Sequence, residues 1–162
     1  MTSLLKPTAK TGLNKAGAHE LYASNMYKNL ANCMQAIGYF NAQKYFLAES
    51  ADELVHYQNI ADYMNDRGDM LDFPGVEKMV DRCTTLKSAF EVAYEAEYEL
   101  GLYYSKLYEQ MEKEGDCVTE QFLLQFIKIQ RQSVGAVKDI LAAIKLCGND
   151  PSALFMVEAK LI

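Results

Sequence analysis

The stretch "FLAESADELVHYQNIADYM", residues 46–64, decides how this chain folds. It contains no proline or glycine, and Phe46, Ile60 and Met64 recur at helical spacing along one stripe. Glu53 and His56 fall on that same stripe, where a core-facing helix ordinarily carries aliphatic side chains. A carboxylate and an imidazole turned toward a protein's own core need a partner, because an isolated buried charge is expensive.

Working outward from this segment, four long helices and one short helix are predicted. The first runs from Leu13 to Ile37 and stops at Gly38. Asn41 caps the second, which continues to Arg67 and ends at Gly68. The connection "DMLDFPGVEKMVDRCT" lacks periodicity and carries Pro74-Gly75. Thr85, or Ser88 in a capping box with Glu91, opens the third helix, which reaches Glu114 before Gly115. Asp116 or Thr119 opens the fourth, which ends near Leu146. Asp150-Pro151 starts the short fifth helix, aspartate as cap and proline in the first turn.

No strand pattern or internal repeat is evident. Short links make two antiparallel hairpins, and the long middle connection lets the second and third helices lie parallel. The predicted fold is all-α, a four-helix bundle with one long crossover, in a single domain over residues 1–162.

Composition narrows the function classes. A 162-residue chain, half hydrophobic and with only 3 prolines, is neither disordered nor fibrous. Its formal net charge of −6 argues against nucleic acid as a partner, since no basic patch is available to displace counterions. Its apolar runs are too short to span a membrane. The N-terminal "MTSLLKPTAKTGLNKAG" lacks an apolar signal-peptide core, so a cytoplasmic location is expected. Cys33, Cys83, Cys117 and Cys147 are irregularly spaced and read as reduced structural thiols.

The other helices repeat the anomaly of the second. Leu13, Ala16, Gly17, Glu20, Ser24, Tyr27, Ala31 and Met34 share a face of the first helix, with Glu20 its only charge. On the third, Glu97 intrudes among Phe90, Ala93, Tyr94, Leu100, Gly101, Tyr104 and Tyr108. On the fourth, Gln130 sits among Leu123, Phe126, Ile127, Val134, Val137, Leu141 and Ile144. Each helix thus places an oxygen or nitrogen donor among apolar neighbours. A shared multivalent cation removes the cost of burying them together.

Carboxylates with one imidazole and no thiolate suit iron, manganese or zinc. Glu53 is placed to bridge two ions, with His56 one turn away. His19 points off its stripe and reads as a surface histidine. Of the 11 tyrosines, only Tyr27, two turns after Glu20, is expected to touch the site. Glu91, Glu95 and Glu99 are expected to form a solvated face around Glu97.

At this point the sequence resembles ferritin. The resemblance runs from "LNKAGAHELYASNMY" through "ADELVHYQNIADYMNDRG" and "AYEAEYEL" to "FLLQFIKIQ", and "GNDPSALFMVEAKL" looks like the short fifth helix of that family. It implies a ferroxidase centre at Glu20, Glu53, His56, Glu97 and Gln130, holding two irons per subunit. Tyr27 matches the tyrosine beside that centre, and Asp52 the position where many ferritins carry a second acid before the bridging glutamate. It further implies a self-assembled shell of twenty-four subunits that oxidises Fe(II) with dioxygen and stores a ferric mineral. Leu54 replaces the methionine that binds haem in bacterioferritin, so no haem is expected. Ile129 and Ser133 replace the glutamates of a third iron site, and Gln130 and Ser133 look closer to the animal heavy-chain pattern. Glu120 matches a position lining pores in some ferritins. Two other readings stay open: a di-iron oxidase or peroxidase on the same bundle, and a non-catalytic shell subunit resembling a light chain.

Overall fold

The computed structural model describes residues 2–161, and among these there are five helices and no strand. The helices are α1 (Pro7–Ala36), α2 (Phe40–Asp66), α3 (Leu86–Glu114), α4 (Cys117–Cys147) and α5 (Pro151–Glu158). α1 packs along α2 and α3 along α4, as the hairpin expectation requires. The Ser24 and Ser50 hydroxyls each donate to the other's backbone carbonyl, at 2.9 and 2.8 Å, joining α1 to α2 at mid-length. Tyr103 of α3 donates to the Gly12 carbonyl of α1 (2.8 Å), while Tyr27 reaches Glu97 at the opposite end of that contact. α1 is therefore antiparallel to both α2 and α3, which makes α2 and α3 parallel. Residues 67–85 cross over along α1: Asn14 accepts from the Asp72 N–H (2.7 Å), and Asn29 donates to the Asp81 carbonyl (2.9 Å). The predicted topology holds.

Several helix ends correct the sequence reading. α1 begins at Pro7 rather than Leu13, because proline in the first turn needs no N–H partner even though Lys6 supplies no cap. α3 is capped by Thr85 in a box whose partner is Ser88, not Glu91. Asp116 caps α4 through the Thr119 N–H (3.2 Å), and Asp150 caps α5 through the Ser152 N–H (2.9 Å). Gly115 takes the left-handed conformation that ends α3 (φ 67°).

Asn41 does not cap α2. Tyr39 occupies the cap position and its side chain makes no capping bond. The buried Glu158 carboxylate of α5 instead accepts from the N–H groups of Asn41 and Ala42. A cap that neighbouring residues ordinarily provide comes here from the far end of the chain. It places a negative charge on the positive end of the α2 dipole. Two apolar clusters fill the bundle. One surrounds Phe46, Phe90 and Val137, the other Leu13, Ile60 and Leu123, and the polar residues of the stripes lie between them.

Glu158→Ala should lower unfolding stability by about 1–2 kcal/mol, the worth of a buried cap. Asn41→Ala should be near neutral. Denaturant unfolding of both variants checks this, and equal losses would contradict the assignment of the cap.

Candidate metal centre

Glu20 of α1, Glu53 of α2, Glu97 of α3 and Gln130 of α4 are each 3% exposed or less, and they meet midway along the bundle. Of the polar intruders in the apolar stripes, these four are in the core and His56 is partly buried beside them. The spacing Glu53–His56 sets the two side chains one helical turn apart on one face. His56 Nδ1 lies 2.9 Å from Glu53 Oε2 and 3.5 Å from Glu20 Oε2. One donor atom from each of Glu20, Glu53 and His56 lies within 4.8 Å of the others. Three donors converging from two helices offer a cation two carboxylate oxygens and one imidazole nitrogen, a set suited to Fe(II), Mn(II) or Zn(II).

The two outer carboxylates are held differently. Glu20 Oε1 accepts the hydroxyl of the buried Tyr104, whereas Glu20 Oε2 is buried and accepts no hydrogen bond. A desolvated carboxylate oxygen without a donor is costly, and a cation among these three residues would satisfy it. Glu97 accepts the Tyr27 hydroxyl on Oε1. With its amide nitrogen turned toward α3, Gln130 donates to Glu97 Oε2 at 2.6 Å and to the Glu97 carbonyl at 3.2 Å. Both oxygens of Glu97 are therefore engaged, and Gln130 is a hydrogen-bond partner of Glu97 rather than a member of the converging donor set.

Asp52 is exposed and lies outside the cluster, because the residue before Glu53 points about 100° around the helix from it. His19 is exposed, as expected, with its ring edge-on to Tyr103. Glu91, Glu95 and Glu99 are exposed too.

Two residues were missed by the sequence reading. Tyr104 lies on the α3 stripe, yet its bond to Glu20 spans 84 positions, so no local pattern marked it. Glu49 precedes Glu53 by one turn and is half-buried, and its carboxyl is pushed up to about 7 by burial and the charges of Glu97 and Glu53. The spacing Glu49–Glu53 was the available signal.

Electrostatics follow from desolvation. Burial pushes the Glu53 carboxyl up to about 8, with the Glu20 charge adding to it and His56 opposing. Burial and the Glu53 charge bring Glu97 up to about 7. For His56, burial lowers the value, but Glu20 and Glu53 facing Nδ1 outweigh it and bring the imidazole up to about 10. Burial, then the adjacent carboxylate, raises Tyr27 and Tyr104 well above the ordinary phenol range, so both remain donors. Protons thus occupy the atoms that a cation would take.

Cation binding at these atoms should release protons, and affinity should rise as pH increases through the values of Glu53, about 8, and His56, about 10. Calorimetric titration with Zn(II) near pH 6.5, in buffers of different ionisation enthalpy, counts the released protons. More than one proton per first ion is expected, and none would contradict this electrostatic picture.

Comparison with known proteins identifies the family. The ferritin-like domain family matches residues 10–147. A probable bacterial non-heme ferritin-like protein of Haemophilus influenzae is 23% identical over 142 residues, covering 88% of this chain and 86% of the relative. A bacterial non-heme ferritin of Staphylococcus aureus is 24% identical over 158 residues, covering 98% and 95%. In fold, the chain is similar to an open pore ferritin of the archaeon Archaeoglobus fulgidus, with TM-score 0.94, 24% identity and 97% of each chain covered. A five-helix bundle with buried donors on all four long helices, matched by the family over most of its length, places this chain in the ferritin family.

Proposed function

We propose that this chain is the subunit of an iron-storage protein that oxidises Fe(II) with dioxygen at the Glu20–Glu53–His56–Glu97 centre. Iron is substrate and cargo here. The whole chain acts as one ferritin-like domain, assembles with copies of itself into a shell of twenty-four, and works in the cytoplasm. The observation that carries this reading is the buried Glu20 Oε2, which accepts no hydrogen bond, beside His56 Nδ1 and Glu53. Membership of the ferritin family and non-heme ferritin relatives support iron as the metal.

The residues divide the work by charge. Glu20, Glu53 and His56 form the first position for Fe(II), with His56 presenting Nδ1. Glu53, reaching in from α2, would serve a second Fe(II) together with Glu97. Tyr27 and Gln130 hold Glu97, and Gln130, being neutral, adds no charge to that second position. Two Fe(II) ions supply the two electrons, and solvent the two protons, that reduce one dioxygen to hydrogen peroxide, so rapid oxidation requires both positions. The protons displaced from Glu53 and His56 on binding pass to solvent.

A di-iron oxidase acting on an organic substrate is less well supported. An apolar groove of about 380 Å³ between α1 and α3 is walled by residues such as His19, Ala23, Ala96 and Tyr103, and by none of the cluster's donors. A non-catalytic shell subunit is disfavoured by the presence of all the donors.

Aerobic addition of Fe(II), followed by stopped-flow absorbance, should give rapid oxidation that Glu53→Ala reduces at least a hundredfold, with the assembly unchanged by size exclusion. Without cation, this variant should be no less stable than the parent, because a buried carboxylate has been removed. Zn(II), at about two ions per subunit or fewer, should inhibit strongly, since it takes nitrogen and oxygen sites and cannot be oxidised. Oxidation unchanged by either Zn(II) or Glu53→Ala would place the chemistry elsewhere.

A further inference from the structure

We propose that Tyr27 and Tyr104 form a crossed brace, each fixing the carboxylate of the opposite helix and each controlling one cation position, with Tyr104 governing the position made by Glu20, Glu53 and His56. The inference rests on the metal-centre reading above and assigns roles to two residues that are not themselves cation ligands.

The pattern is written twice in the chain. On α1 a tyrosine follows the inward glutamate by seven residues, Glu20 then Tyr27, and on α3 the same interval separates Glu97 and Tyr104. Seven residues are two helical turns, so each tyrosine lies on the same face as its glutamate, about 10 Å along the axis. Because α1 and α3 run antiparallel, that displacement carries each tyrosine to the level of the other helix's glutamate. Tyr27 donates to Glu97 and Tyr104 donates to Glu20. Both phenol rings are fully buried. Neither hydroxyl has solvent to turn to.

The rings are locked by different neighbours. Tyr104 stacks on Phe126, with centroids 4.8 Å apart and planes at 7°, and His56 meets the same Phe126 ring edge-on at 6.1 Å. Phe126 therefore sets Tyr104 and His56 relative to each other, and through Tyr104 it sets Glu20. Tyr27 stacks on Phe46, with centroids 5.9 Å apart. Holding one oxygen of Glu20 with a hydroxyl leaves Oε2 as the oxygen that faces His56 and Glu53. The same logic on Glu97 is completed by Gln130, so the two positions differ in readiness: a cation finds Oε2 of Glu20 unengaged, and must displace a hydrogen bond at Glu97. Tyr104 is thus a positioning residue for the first ion, and Tyr27 for the second.

Hydrogen-bond partners of metal ligands typically change affinity by about 10- to 100-fold when removed. Co(II) is the probe, followed by calorimetry for the two stepwise affinities. Proton NMR gives a second readout, because hyperfine-shifted resonances of the His56 imidazole report the ion on its side of the centre. Tyr104→Phe keeps the ring stack on Phe126 and should weaken the first Co(II) about tenfold or more, shifting the His56 resonances, while the second affinity changes little. Tyr27→Phe should do the reverse, weakening the second ion and leaving the His56 signals in place. Tyr103→Phe, whose hydroxyl serves the Gly12 carbonyl, should change neither. Unaltered first-ion affinity in Tyr104→Phe, or equal loss at both positions in both variants, overturns the brace. Should Tyr104→Phe fail to fold, the Tyr27→Phe result decides alone: loss confined to the second ion supports the crossed arrangement, and any other pattern refutes it. A parent protein that binds no Co(II) at His56 would overturn the metal-centre reading itself, a different result from a parent that binds two ions and variants that behave like it.

Discussion

Glu20, Glu53 and Glu97 lie almost wholly out of water inside a helical bundle, and the rest of the structure answers to their desolvation. An isolated carboxylate in such surroundings is costly when charged. The protein meets that cost with hydrogen bonds, with the facing imidazole of His56 and with bound protons. The bonds are distributed unevenly: Glu97 has donors on both oxygens, whereas Glu20 has a donor on one. Glu20 Oε2 is thus a fully buried oxygen of the centre without a hydrogen bond, and it stands beside an imidazole and a second carboxylate. Multivalent charge suits this arrangement better than protons do.

The fold supplies the rigidity the centre needs. Donors come from helices rather than loops, and their apolar neighbours above and below belong to two separate packed clusters. Aromatic stacking then sets orientations that hydrogen bonds alone would leave loose, since the Phe126 ring touches both Tyr104 and His56. The crossover along α1 fixes the topology that makes α2 and α3 parallel, so that each helix approaches the centre with the correct side. At the far end of the bundle, Glu158 ties the short α5 to the first turn of α2. That contact couples the C-terminal helix to the helix that carries Glu53 and His56.

Much of this was legible in the sequence, because its signals are local. Period-3.6 stripes located four long helices, and the polar residues in those stripes were the buried ones: Glu20, Glu53, Glu97 and Gln130. Glycine and aspartate punctuation placed the ends of α3, α4 and α5 within a residue or two. The failures are non-local. Asn41 was expected to cap α2, but the cap is Glu158, 117 positions away by sequence. Tyr104 looked like packing because its partner Glu20 is on another helix. Gln130 is buried where its stripe put it, and which group its amide faces, Glu97, depends on hydrogen bonds across helices that sequence does not show. Asp52 carries the right chemistry and lies next to Glu53, but one residue of helix rotation leaves it in solvent.

The central claim is that the buried donors form a cation site whose Glu20–Glu53–His56 position fills first. Crystals titrated anaerobically with limited Fe(II) and measured at the iron absorption edge test it directly. The account predicts that the first anomalous peak lies among Glu20, Glu53 and His56, followed by a second beside Glu97 as Fe(II) is increased. A first peak beside Glu97, equal filling from the earliest additions, or iron only at the protein surface would contradict it.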